Sequence, residues 1–123
     1  MAKSYYNSSK VEVEKYIDKF SKEHTDMVVT VVRPGLLVGP KINNIFSKLW
    51  SYKISVLIYG NVSHNQFIQE EDLGDALYLT YIRDLRGIYN VCADDAVPTK
   101  WCFNEAGCKT ISLHESIVKL VAN

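Results

Sequence analysis

Tyr6-Asn7-Ser8-Ser9-Lys10 sets a phenol and an ammonium four residues apart near the start of a 123-residue chain. At that spacing both side chains lie on one helix face and can share a site. A free tyrosine has a pKa near ~10 and is a poor proton donor or acceptor at neutral pH. A neighbouring cation favours the phenolate and lowers that value, which makes the phenol usable as a general acid or base. The same spacing arises on surface helices that do no chemistry, so the pair alone leaves both readings open.

The elements that position this pair follow from periodicity. Val13, Tyr16, Ile17 and Phe20 recur at helical spacing opposite Glu12, Lys15, Asp18 and Lys19, predicting a helix over 8–22. Residues 27–32 form an almost unbroken apolar run, as in a strand covered on both faces. Arg33-Pro34-Gly35 ends it, because proline cannot donate to a ladder. Leu36-Leu37-Val38 leads to a second stop at Gly39-Pro40. Ile42, Ile45, Phe46, Leu49 and Trp50 fit a helix, 54–59 a strand, and Phe67-Ile68 a short extended piece. Glu70, Glu71 and Asp72 favour the first turn of a helix reaching about Asp84. Residues 88–92 read as a strand after Gly87. Thr99 is placed to cap a short helix ending at Gly107. Ser112-Leu113-His114-Glu115 reads as a capping box opening a final helix that buries Ile117, Leu120 and Val121. Helices alternating with strands define an α/β layered sheet.

Composition narrows the function classes. Lys and Arg total 14 against 14 Asp and Glu, which gives no basic surface for nucleic acid. No apolar run approaches the ~20 residues of a membrane span, and no signal-peptide pattern opens the chain. Cys92, Cys102 and Cys108 lack paired spacing and read as free or buried thiols in a reducing, cytoplasmic compartment, with no metal site.

Three segments in order carry a family resemblance: Tyr6 to Lys10, then Val31-Val32-Arg33-Pro34-Gly35-Leu36-Leu37-Val38-Gly39-Pro40, then Phe67-Ile68-Gln69-Glu70-Glu71-Asp72-Leu73-Gly74-Asp75-Ala76. Gly87-Ile88-Tyr89-Asn90-Val91 extends the match to about residue 93. The chain resembles the second half of an extended short-chain dehydrogenase/reductase, the NAD-dependent epimerase/dehydratase group. The resemblance implies a partial Rossmann-like parallel sheet with flanking helices over residues 1–93. Part of a small C-terminal substrate lobe would follow over 94–123. It also implies that Tyr6 is the catalytic acid/base acting on a carbonyl or hydroxyl group of a small-molecule substrate. Lys10 would bind the nicotinamide ribose, and Pro34, Gly35 and Leu36 would lie beside the nicotinamide of NAD or NADP. Tyr5, one residue out of register, reads as a packing residue.

Two positions depart from the sugar-nucleotide members. Leu36 stands where they usually carry asparagine, and Asn65-Gln66 where they tend to carry arginine. Both missing groups normally hold a nucleotide diphosphate, so the apolar 36–38 stretch leans toward a reductase of ketones or alcohols. A nucleotide-sugar epimerase or dehydratase stays open beside it. No GxxGxxG or GxGxxG turn is present to receive a pyrophosphate. By the resemblance Met1 falls about halfway along a complete member and the last helix is cut short at Asn123. The expectation is therefore a chain that binds no dinucleotide tightly and is inactive alone. A missing N-terminal half, or a partner chain, would cover the sheet edge, and the Tyr-Lys helix would offer a homodimer contact. The competing reading is a catalytically silent interaction module.

The remaining candidates read as structural. His64 suits a polar turn, His24 a helix C-terminus, and Asp94-Asp95 a turn. His114-Glu115 lacks the second histidine of a zinc motif. Trp101 and Phe103 read as packing residues of the C-terminal lobe.

Overall fold

Tyr5–Glu23 forms helix α1 in the computed structural model, which describes residues 5–121. The helix starts three residues before the apolar spacing signals it, because Tyr5, Tyr6 and Asn7 all face solvent. Tyr5 itself is 87% exposed, so it is not the packing residue its register implied. Asp18–Lys22 and Lys19–Glu23 pairs run along the last turns at 2.7 and 3.7 Å. His24 closes the helix, stacking on Phe20 with ring centroids 4.1 Å apart and donating from Nδ1 to the Phe20 carbonyl.

The remaining elements follow in order: β1 (Thr30–Pro34), β2 (Leu36–Val38), α2 (Ile45–Trp50), β3 (Ile54–Ile58), β4 (His64–Gln69) and α3 (Glu70–Ile82). Then come β5 (Gly87–Val91), β6 (Ala96–Pro98), α4 (Thr99–Glu105), β7 (Lys109–Leu113) and α5 (Glu115–Val121). The chain is an α/β protein with parallel strand pairs and flanking helices. Among the described residues, no helix is long and apolar enough to cross a membrane.

Two compact units divide the chain. The first takes in the described residues to Arg33 together with Gly74–Asn90. It contains α1, the β1–β5 pair and most of α3, and none of the four apolar side chains that are buried among the described residues. Polar ties cross it beside half-buried Ile17, Phe20, Val31 and Val32. Thr30 Oγ1 donates to the Leu85 carbonyl, the Gly87 amide to Val29 at 3.2 Å, and Arg86 to Thr25 at 2.9 Å. The 27–32 run promised a strand covered on both faces, but β1 begins at Thr30, and Met27 and Val28 are exposed. A valine-rich run signals β structure, and the number of neighbours that cover it is a tertiary matter.

The second unit is Pro34–Leu73 with Val91 onward. Strands β2 and β4 pair in parallel, Leu36 opposite Phe67, and β6 adds antiparallel to β4, His64 opposite Pro98. A separate parallel pair joins β3 to β7, Ile54 opposite Lys109 through Ile58 opposite Leu113. Ile68, Cys102, Phe103 and Cys108 are the buried apolar side chains, at 2–7% exposure. Asn44 caps α2, accepting from the Phe46 and Ser47 amides, while its Nδ2 donates to the Leu37 carbonyl at 2.9 Å. That bond fastens α2 to β2, and Trp50 lies against Phe67 with ring centroids 5.6 Å apart. Ile42 stays outside the helix because Asn44 starts it.

Several local expectations are corrected here. Thr99 does not cap α4; its Oγ1 donates to the Ser63 carbonyl at 3.0 Å and accepts from Asn65 Nδ2 at 2.9 Å. Ser112 lies inside β7, and α5 starts at Glu115 with the Ser116 amide donating to His114 Nδ1. Ile117 and Leu120 are exposed, while the Val121 side chain and Asn123 lie outside the described residues. His64 opens β4 rather than a turn, and Phe103 is buried where Trp101 is not. Partner strands of β6 and β7, distant in sequence, decide these points.

Candidate active site

Tyr6 and Lys10 both face outward from the first two turns of α1. The Lys10 ammonium sits 5.5 Å from the centroid of the Tyr6 ring, over its face. Ser9 Oγ donates to the Tyr6 carbonyl at 2.9 Å, which occupies that hydroxyl locally. Spacing alone thus brings phenol and ammonium together, with the cation on the ring rather than on the hydroxyl oxygen.

Glu14 lies one further turn along α1, on its half-buried face. Its carboxylate accepts from Arg33 Nε at 2.9 Å and from Arg33 Nη2, a two-pronged bond between mid-α1 and the end of β1. Hydrogen bonding to Arg33, and then its charge, hold the Glu14 carboxyl below its ordinary value, and the same bond raises Arg33. Arg33 entered the sequence reading only as a strand end, and Glu14 not at all. The available signal was the four-residue step from Lys10 to Glu14, but the partner lies 19 residues further on and is tertiary.

Pro34, Gly35 and Leu36 belong to the other compact unit, at the junction of β1 and β2. The Gly35 amide donates to the Val91 carbonyl at 2.8 Å. A Cβ on Gly35 would meet the Gln66 carbonyl oxygen at 2.8 Å and Cys92 Cβ at 2.9 Å. Glycine is required there by close backbone approach. Beyond the carboxyl ends of β2 and β4 lies an open cavity of about 600 Å³, lined by Val38, Gln69, Asp72, Cys92 and Asp94 among others. Parallel α/β sheets bind ligands at such ends.

Asn65, one of the two positions that depart from the sugar-nucleotide members, is committed to Thr99. Burial pushes the Cys102 thiol up, partly offset by the Asn65 amide. Among the described residues, no group of three or more His, Cys, Asp and Glu is placed to hold a metal ion.

No family model matches the chain. It is 23% identical over 97 residues to the uncharacterized protein Mb0513 of Mycobacterium bovis. The uncharacterized protein Rv0501 of Mycobacterium tuberculosis matches to the same extent. Each alignment covers 79% of this chain and 26% of the relative, so the chain spans about a quarter of the length of these proteins. Among solved structures, UDP-N-acetylglucosamine 4-epimerase from Bacillus cereus superposes with a TM-score of 0.54 at 12% identity, covering 85% of this chain and 45% of that one. That likeness shows the fold alone: an α/β chain with parallel strands and flanking helices, similar to the Rossmann-like fold of that enzyme.

Proposed function

We propose that this chain supplies the tyrosine–lysine half of an NAD(P)-dependent oxidoreductase or epimerase site, with Tyr6 as general acid/base. The observation that carries the reading is the Tyr6–Lys10 pair on one face of α1, with the ammonium 5.5 Å from the ring centroid. The fold likeness to a nucleotide-sugar epimerase supports it. A nicotinamide cofactor, when bound, supplies or takes up a hydride. Phenol and ammonium suit the hydroxyls of its ribose, while the sequence holds no glycine-rich turn for its pyrophosphate.

In the oxidative direction the Tyr6 phenolate accepts the proton of a substrate hydroxyl. In the reductive direction its phenol O–H returns a proton to the carbonyl oxygen. Lys10 would donate to the ribose hydroxyls. Pro34, Gly35 and Leu36 would border the nicotinamide. Substrate is a ketone or secondary alcohol with apolar surroundings at 36–38. A nucleotide sugar is the alternative, favoured by the neighbour's own substrate name and opposed by Leu36 and by Asn65 turned to Thr99. Residues homologous to an N-terminal Rossmann half, on the same or another chain, complete the site.

A second reading, a catalytically silent interaction module, is favoured by the exposed Tyr5, Val13 and Tyr16 on α1. The deciding experiment combines this chain with an N-terminal half bearing a glycine-rich turn and follows NADH and NADPH oxidation at 340 nm against a panel of ketones. Turnover abolished by Tyr6→Phe supports the enzyme. Stable assembly with no turnover and no nucleotide binding supports the module.

A further inference from the structure

Glu14 is the one charged side chain on the half-buried face of α1, which otherwise shows Ser9, Ile17, Phe20 and Ser21. Its bond to Arg33 is the only ion pair between two elements among the described residues; the other two lie within α1. We propose that Glu14 and Arg33 form a positioning pair that fixes α1 in register and rotation on β1. Tyr6 and Lys10 would thereby be aimed at the carboxyl end of that strand. The significance for catalysis rests on the function proposed above; the positioning itself does not.

Three features carry this. First, α1 and β1 run in opposite directions. The helix ends at Glu23, the strand begins at Thr30, and mid-helix Glu14 meets Arg33 near the strand's far end. Eight residues of helix then set Tyr6 roughly 12 Å beyond the fork, toward the carboxyl end of β1. Second, the other polar ties of this unit act elsewhere. Thr30–Leu85 and Val29–Gly87 join the amino end of β1 to β5 and the turn before it, and Arg86–Thr25 holds the loop after α1. None of these three ties reaches the described residues of the amino-terminal half of α1. Third, with no buried apolar side chain among the described residues of the unit, packing alone leaves the rotation of α1 weakly specified. A planar guanidinium gripping both carboxylate oxygens defines direction as well as distance. Asp18 and Arg86 line the same groove, but they are engaged by Lys22 and the Thr25 carbonyl.

The test uses the 123-residue chain in wild-type form and as Arg33→Lys, Glu14→Gln and the exchanged pair Glu14→Arg with Arg33→Glu. Residual dipolar couplings of the α1 and β1 amides report the orientation of helix on strand, and hydrogen exchange reports stability. Arg33→Lys keeps the charge but loses the two-pronged grip, so it remains informative if Glu14→Gln unfolds. The expected result is a reoriented α1 in Arg33→Lys and Glu14→Gln, with protection of its amides lowered roughly two- to fivefold, β1 and β5 couplings kept, and orientation recovered in the exchanged pair. Unchanged helix orientation in both single variants would overturn the proposal, even if protection fell, because the pair would then only stabilise. No cofactor or turnover enters this readout, so its failure is separable from that of the enzyme reading, which Tyr6→Phe decides.

Discussion

Gly35 approaches Gln66 so closely that a methyl group on its α-carbon would stand 2.8 Å from the Gln66 carbonyl oxygen. Cys92 closes the other side at 2.9 Å. Neither neighbour can swing away, since one is backbone and the other a Cβ. Gly35→Ala should therefore destabilise the chain by about 1–3 kcal/mol, lowering the urea midpoint with little change in slope. Gly60→Ala meets nothing within 4 Å but sits at positive φ, so its cost is local strain alone. Equal losses at Gly35 and Gly74, where an added Cβ also meets nothing, would show that close approach is not what matters.

Tyr5 and Tyr6 are adjacent, exposed and chemically identical, yet only Tyr6 lies four residues before Lys10. In the reassembled enzyme, Tyr6→Phe should cut kcat by roughly 10²–10⁴-fold, with KM for substrate little changed. Tyr5→Phe should leave both constants near wild type. Similar losses from both variants would move the acid/base role away from Tyr6.

Acid should loosen α1 from β1. The Glu14 carboxyl is held below its ordinary value in the folded chain, chiefly by the bond to Arg33. Its contribution is therefore complete above the ordinary carboxylate value near ~4.3 and is lost as pH falls through the lower, folded value. Hydrogen-exchange protection factors of α1 should fall over that acidic window more steeply in wild type than in Glu14→Gln, which keeps only the Asp18–Lys22 and Lys19–Glu23 pairs among the described residues. Both partners are partly exposed, so 0.5 M salt should also shrink the difference, an expected loss on the order of one-half given a Debye length of a few ångströms there.

The three thiols should react in a fixed order. Cys92 is half-buried, whereas Cys102 and Cys108 are buried and burial raises the Cys102 thiol further. Iodoacetamide at pH 8 should modify Cys92 first, with Cys102 and Cys108 protected until urea unfolds the second unit. Peptide mass mapping checks this, and early labelling of Cys102 would contradict the burial described.

Much of the candidate site's local geometry was legible because it is set within one helix or strand. A tyrosine and a lysine four apart share a helix face whatever surrounds them, and Pro34 ends a strand wherever it falls. The acidic start of α3 and the stop at Gly39-Pro40 are of the same kind. The less legible parts depend on partners far away in sequence. Ser112 resembles a helix cap until Ile54–Ile58 claims Lys109–Leu113 as a strand, and Thr99 resembles a cap until Ser63 and Asn65 claim its hydroxyl.

The sequence alone determined the alternation of helix and strand, the placement of Lys10 beside Tyr6 on one helix face, and the absence of a phosphate-binding glycine turn from these residues. These are matters of residue type and short spacing, fixed by backbone geometry within one turn or one strand. Tertiary structure alone decided that Glu14 grips Arg33, that Gly35 is glycine because Gln66 and Cys92 crowd it, and that Asn65 serves Thr99. Each joins residues 19 to 57 positions apart, and only the folded path of the chain brings such groups within bonding or van der Waals distance.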